Sequence, residues 1–222
     1  MNVLLFGATG MVGQGALREC LLADDVLRVQ TIGRTATGQQ HPKLHELVHQ
    51  DLFDYRGIEA DLTNFDACFF CIGVTSSGVP EAQYTRLTHD LTLAAAQTLA
   101  RLNPQMTFVY VSGAGADSSE VGKVMWARVR GRLENALQRL PFKAVYVFRP
   151  GIIQPLHGIR SKTGAYRWLY TLSRPLLPLL RRLLPNTVLS TEIVGRAMLS
   201  VARHGAPKAI LEAADISAIG RA

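Results

Sequence analysis

Four apolar residues, Val3-Leu4-Leu5-Phe6, pass without a polar break into Gly7-Ala8-Thr9-Gly10-Met11-Val12-Gly13. A short continuous apolar run reads as a strand covered on both faces, as in a parallel sheet. From Met11 to Leu22 the chain then places Val12, Ala16, Leu17, Cys20 and Leu21 on one helical stripe. Strand, glycine-rich turn and amphipathic helix in that order leave few folds open. Gly7 permits a tight turn, Gly10 removes a side chain where the backbone must approach a pyrophosphate, and Gly13 lets helix and strand pack closely. The helix amides at 10 to 13 aim their partial positive charge at phosphates. Gly7, Ala8, Thr9, Gly10, Met11, Val12 and Gly13 are therefore expected to form a dinucleotide site.

The alternation continues downstream. Further strands are expected at 29–32, 46–49, 67–72, 107–111 and 144–148, with crossover helices at 82–102 and 123–140. Strand alternating with helix predicts an α/β fold, a doubly wound parallel sheet of the Rossmann type. After Pro150 the texture turns to loops, prolines and basic residues without a Ser/Gly linker. One domain over 1–222 is expected, its cofactor-binding core at 1–150 and a small C-terminal cap at 151–222. With 48% apolar and 18% charged residues, a disordered chain is excluded. Three cysteines cannot staple a secreted scaffold, and no basic leader or cleavage site precedes the first strand, so a cytoplasmic location is the default expectation.

Charge is spread unevenly. Between Lys123 and Arg182 stand 13 Lys or Arg against one acid, Glu134, within a chain whose formal charge is +7. The second half is thus expected to face something anionic: cofactor phosphates, an acidic membrane surface or nucleic acid. The apolar stretch 164–185 carries Arg167, Arg174, Arg181 and Arg182 and is broken by Pro175 and Pro178, so it does not read as a membrane span. Arg160, Arg167, Arg174 and Arg181 recur every seven residues. Short helices covering the sheet are the plainer reading, and a weak contact with acidic lipid through this basic segment is the alternative. No nucleic-acid partner is expected, and helix faces at 82–102 and 123–140 are candidates for a homodimer contact.

The second strand closes on Ile32-Gly33-Arg34. An NAD site puts Asp or Glu near there, whereas an NADP site supplies Arg for the 2′-phosphate. Asp24 and Asp25 precede the strand, at its wrong end, while Thr35 and Thr37 offer hydroxyls. Arg34 therefore predicts NADP (NADPH).

These residues resemble the short-chain dehydrogenase/reductase superfamily in its atypical branch. Gln50-Asp51-Leu52 is similar to the pair lying against adenine, which implies cofactor contacts for Asp51 and Leu52. Cys71-Ile72-Gly73-Val74-Thr75 is similar to the strand-four end that runs alongside the cofactor, implying Cys71, Gly73 and Val74. Phe148-Arg149-Pro150-Gly151-Ile152-Ile153 is similar to the segment approaching the nicotinamide, implying Pro150, Gly151 and Ile152. Val109-Tyr110-Val111-Ser112, followed by Gly113-Ala114-Gly115-Ala116-Asp117, and Arg196-Ala197-Met198-Leu199 most resemble the Tat-interactive protein oxidoreductase group.

The resemblance implies a serine that orients a substrate carbonyl, a tyrosine that donates a proton and a lysine four residues later that holds the ribose. Ser112 fits the first role. The register of Val129-Arg130-Gly131 puts Trp126 at the tyrosine and Arg130 at the lysine position. Arg130 still offers positive charge and ribose contacts, but an indole N–H cannot transfer its proton at neutral pH. Tyr84 and His157 are candidates to replace the missing acid, His157 being the better one because histidine as a residue type titrates in the useful range, and water is the alternative proton source. No metal site is expected: His41, His45 and His49 fall on an extended stretch, and Cys68 and Cys71 fall on opposite faces of a strand. Two functions remain open. One is an NADP-dependent oxidoreductase acting on a carbonyl or hydroxyl substrate; the other is a non-catalytic NADP(H) sensor or scaffold that presents a basic C-terminal surface to a protein or acidic membrane partner.

Overall fold

A computed structural model of the chain describes residues 1–159 and 187–222. The apolar stretch 164–185, its arginine repeat and most of the basic segment proposed for lipid contact lie outside the described residues.

The strands are short and buried. β1 (Asn2–Phe6), β2 (Arg28–Gly33), β3 (Leu44–Val48), β4 (Ala67–Phe70), β5 (Thr107–Val111) and β6 (Ala144–Arg149) form one parallel sheet in the order 3-2-1-4-5-6. β9 (Ile210–Glu212) extends it beside β6, while β7 (Ile152–Gln154) and β8 (Val188–Ser190) pair as a separate two-stranded sheet. The expected doubly wound sheet is thus present, with its order reversing between β1 and β4.

Successive side chains of β1 serve opposite layers, as strand geometry requires. Val3 and Leu5 join the core under α1 (Met11–Leu22) and α5 (Thr191–His204). Leu4 and Phe6 join the core under α3 (Leu91–Leu102) and α4 (Met125–Gln138). With both faces covered, polar chemistry is left to the strand ends. Cys68 lies in the second core and Cys71 packs on the first, so the two thiols do face opposite layers.

Some boundaries differ from the sequence expectation. The fourth strand stops at Phe70, although Cys71 N–H still reaches Phe6 O at 3.0 Å, because the chain then turns away to wall the cleft. The helix expected at 82–102 is built as α2 (Glu81–Thr85), a π-helical turn at Arg86–Asp90 and α3. A 3₁₀ turn at Arg56–Leu62 and the C-terminal helices α5 and α6 (Ala213–Arg221) were not marked by the apolar runs.

The C-terminal residues contribute to the main layers. Helix α5 starts on Ser190, whose Oγ accepts Ile193 N–H at 3.2 Å, and ends on Gly205 at φ +74°. It crosses α1 where both helices lack side chains: a Cβ on Gly15 would stand 2.6 Å from Thr191 O, and one on Gly195 would stand 3.0 Å from Gly15 O. Arg196 Nε reaches Glu19 at 3.3 Å, and Arg203 pairs with Asp25.

Ion pairs also qualify the charge asymmetry. Within the basic stretch, Arg128 reaches Glu81, and Arg149 reaches Glu134 and Glu212. Part of the basic excess is therefore answered inside the fold by acids of other elements. Glu134 on α4 is fully buried and pinned to the end of β6 by Arg149, whose side chain is 11% exposed. Among the described residues no helix is long and apolar enough to cross a membrane.

Gly15→Leu is expected to cost about 2–3 kcal/mol in urea unfolding, through overpacking against backbone, whereas exposed Gly57→Ala should stay within about 0.5 kcal/mol. Glu134→Ala should cost about 2–3 kcal/mol by leaving the buried Ser112 hydroxyl without its acceptor and Arg149 without its buried partner, with exposed Arg139→Ala as the near-neutral control in the same measurement.

Candidate functional site

Parallel strands bring their C-terminal ends to one edge, and a cleft of about 1200 Å³ opens there. Turns after β1, β2, β3, β4, β5 and β6 all contribute to its wall. It exceeds the roughly 300–1,000 Å³ of an ordinary small-molecule pocket, as an extended ligand requires.

The glycine bend forms one end. Gly7 sits at φ +76°, and a Cβ on it would lie 2.8 Å from Cys71 C and O. Gly10 N–H returns to Gly7 O at 2.9 Å, and the first helical bond runs from Gln14 N–H to Gly10 O. The amides of Met11, Val12 and Gly13 precede that bond and have no acceptor within the helix. No acidic residue occupies the first turn, and no side chain caps it. A Cβ on Gly10 would meet only Gly7 O, at 3.2 Å, so the space beyond it is open. Orphan amides beside open space fit a pyrophosphate. Gly13 acts differently: a Cβ there would come within 2.1 Å of Gly7 O, so its bareness serves packing.

Gly7, Thr9, Gly10, Met11 and Val12 line the cleft, whereas Ala8 is buried away from it. Arg34 lines it at the end of β2, with Thr35 beside it and Gln50 donating to Arg34 O at 3.0 Å. Thr37 does not join them, because its hydroxyl and amide are both held by Glu46. Leu52 lines the wall, but Asp51 does not: its carboxylate accepts Phe53 N–H at 2.9 Å and shapes the turn instead. Cys71, Gly73 and Val74 run along the opposite side, and Pro150 and Gly151 close it. Ile152 is corrected to its neighbour. Strand alternation in β7 leaves Ile152 47% exposed and turns Ile153 into the cleft.

On α4, Trp126, Arg130 and Glu134 follow at four-residue intervals and share a face. Trp126 and Arg130 line the cleft, together with Ser112 from the end of β5. Ser112 Oγ donates to Glu134 Oε1 at 2.5 Å, so its single proton is spent on a buried carboxylate. As placed, it offers the cleft lone pairs, not a donor to a carbonyl. Arg130 Nε donates to Tyr84 Oη at 3.0 Å, and Tyr84 lines the cleft too. Burial works against the charge of Arg130, yet the facing Tyr110, Tyr84 and Glu134 groups raise its pKa on balance. Burial pushes the Tyr110 phenol itself up to about 12.

His157 does not belong to this group. It sits at φ +55° with its ring Nε2 3.1 Å from Glu192 Oε2, and it is not among the cleft-lining residues. The expectation of an acid there fails because the turn after β7 aims the ring at α5. The value of Tyr84 as a partner of Arg130 was hard to read, since 46 residues separate them. Arg34 and Arg130 are the charged residues of the wall, and no carboxylate lines it among the described residues.

No family model matches the chain. Individual relatives do. The mitochondrial protein fmp52 of Emericella nidulans is 32% identical over 159 residues, 68% of this chain and 66% of that protein. The mitochondrial protein fmp52-2 of Aspergillus oryzae is 28% identical over 225 residues, 98% of this chain and 96% of its own length. HTATIP2 of Rattus norvegicus is 28% identical over 155 residues, 68% of this chain and 62% of that protein. The matches to the Emericella and rat proteins thus span just under two thirds of each relative.

Among solved structures, an oxidoreductase of the short-chain dehydrogenase/reductase family from Burkholderia thailandensis superposes with a TM-score of 0.66 at 17% identity, over 96% of this chain and 91% of its own. The Bordetella bronchiseptica enzyme WbmG, solved in complex with NAD, superposes with a TM-score of 0.68 at 12% identity, over 96% and 72%. At such identities these two speak for the fold. The fmp52 relatives, named mitochondrial, overturn the cytoplasmic expectation, which rested on the cysteine count and on the lack of a recognisable leader. Fold, glycine bend and relatives agree: the chain belongs to the atypical short-chain dehydrogenase/reductase family, an NAD(P)-binding, oxidoreductase-like family that includes HTATIP2 and the fmp52 proteins.

Proposed function

We propose that this chain is an NADP(H)-dependent oxidoreductase acting on a carbonyl or hydroxyl substrate. The carrying observation is the charge of the cleft wall, where Arg34 and Arg130 stand without a lining carboxylate among the described residues. A free ribose diol calls for Asp or Glu at the end of β2, whereas a 2′-phosphate calls for a cation and hydroxyls, which Arg34 and Thr35 supply. Met11, Val12 and Gly13 amides would hold the pyrophosphate, and Leu52 would pack on adenine. Arg130 would serve the second ribose, with Cys71, Gly73, Val74, Pro150 and Gly151 along the nicotinamide. When bound, the reduced nicotinamide supplies a hydride. The chain's own contribution is to orient both molecules and, through Val111, Trp126 and Ile153, to keep water from the reacting end.

A sensing or scaffolding role is the second reading. Trp126 at the acid's position and the Ser112 proton committed to Glu134 favour it. Turnover of a panel of aldehydes, ketones and quinones with NADPH separates the two, since the second reading allows none.

Calorimetric titration should give NADPH at least about tenfold tighter binding than NADH, close to 1.4 kcal/mol. Arg34→Glu should erase that preference, and equal affinities in the unaltered protein would remove Arg34 from the phosphate site.

A further inference from the structure

The acid missing from α4 has a replacement on another helix. We propose that Tyr84, carried by α2 and held against Arg130, donates the proton to the substrate oxygen; the assignment rests on the oxidoreductase reading above.

Three observations meet at this residue. Tyr84 is 1% exposed and stands among the residues that wall the cleft, so its phenol is fixed by packing at the edge of the ligand space. Its Oη accepts from Arg130 Nε at 3.0 Å, and no acceptor for its own proton is found among the described residues. A phenol whose acceptor side is filled by a cation and whose proton is unspent is set up to donate. Ser112 is the reverse case, with its proton already given to Glu134 at 2.5 Å.

Placement is specific. Pro80 is the N-cap of α2, and Tyr84 N–H bonds Pro80 O at 2.9 Å, so the residue sits one turn into the helix. Arg128 on α4 reaches Glu81 on α2 at 2.9 Å, tying the helix that carries the phenol to the helix that carries the guanidinium. Gly113 leaves room for the pair: a Cβ there would stand 3.3 Å from Arg130 Nη1. Tyrosine and cation, expected four residues apart on one helix, are here brought together from two.

The step balances simply. As the carbonyl carbon receives the hydride that the reduced cofactor supplies, the carbonyl oxygen takes the Tyr84 Oη proton and becomes a hydroxyl. The phenol O–H bond breaks, its electron pair stays on Oη beside the Arg130 guanidinium, and solvent returns the proton. In the oxidative direction the same atoms run backwards. Arg130 thus acts through Tyr84 as a positioning residue as well as toward the ribose.

The test compares the unaltered protein with Tyr84→Phe. On whichever carbonyl of the panel is reduced, kcat should fall about 10²–10⁴-fold, while calorimetric NADPH affinity stays within about twofold. A second readout needs no turnover. The amide with the same carbon skeleton as that substrate is titrated into protein saturated with NADP⁺ and followed by tryptophan fluorescence, Trp126 being in the cleft wall. Loss of one donated hydrogen bond should weaken amide binding about five- to tenfold in Tyr84→Phe. Equal kcat and equal amide affinity in both proteins would overturn the Tyr84 assignment and leave the oxidoreductase reading standing. Tight NADPH binding with no carbonyl reduced by the unaltered protein would overturn both together.

Discussion

Gly7 touches the backbone of Cys71 so closely that any side chain would collide with it at 2.8 Å, and the cleft depends on this contact. It holds the end of β1 against the end of β4, where the strand order reverses. Because the strands bury both faces, their C-terminal edge is where unpaired amides and polar side chains can gather without burial cost. The glycine bend decides which amides gather there. Its left-handed turn returns Gly10 N–H to Gly7 O and points the next three amides outward, before the helix begins to consume its own donors.

The opposite wall is organised by one face of α4. Trp126 stands in the cleft, Arg130 binds a phenol, and Glu134, a turn deeper, anchors both β5 through Ser112 and β6 through Arg149. A carboxylate in that buried place is tolerable because a serine hydroxyl and a guanidinium share its lone pairs. The consequence reaches the cleft, since the serine that satisfies the carboxylate is one of the residues that line it. Structure and reactivity compete for a single proton at Ser112, and structure holds it.

Local rules made much of this legible. α1 was readable to its last residue because apolar spacing and glycine placement coincide there, and the sheet followed from apolar runs separated by helices. What escaped was decided at longer range. Ile152 and Ile153 look alike in sequence, and only the pairing of β7 with β8 tells which one turns inward. Asp51 and His157 have suitable chemistry, but each finds a nearer partner, a backbone amide for one and Glu192 for the other. β9 gave a weak signal because it is only three residues long, whereas the apolar residues of α5, Val194, Ala197, Met198 and Val201, do fall at helical spacing and were there to be read. Tyr84 became significant only through Arg130, a pairing no spacing rule anticipates.

The crossing of α1 and α5 also governs the order in which the molecule can be completed. Glu19 and Arg196, like Asp25 and Arg203, are nearly 180 residues apart along the chain. During synthesis, the apolar stripe of α1 must wait for its cover until α5, with Arg196 177 residues beyond Glu19, has emerged. The helix that follows the glycine bend is therefore sealed by a segment made much later. Closure entropy of that kind slows assembly, and it makes the finished cleft depend on a contact between residues far apart in the chain.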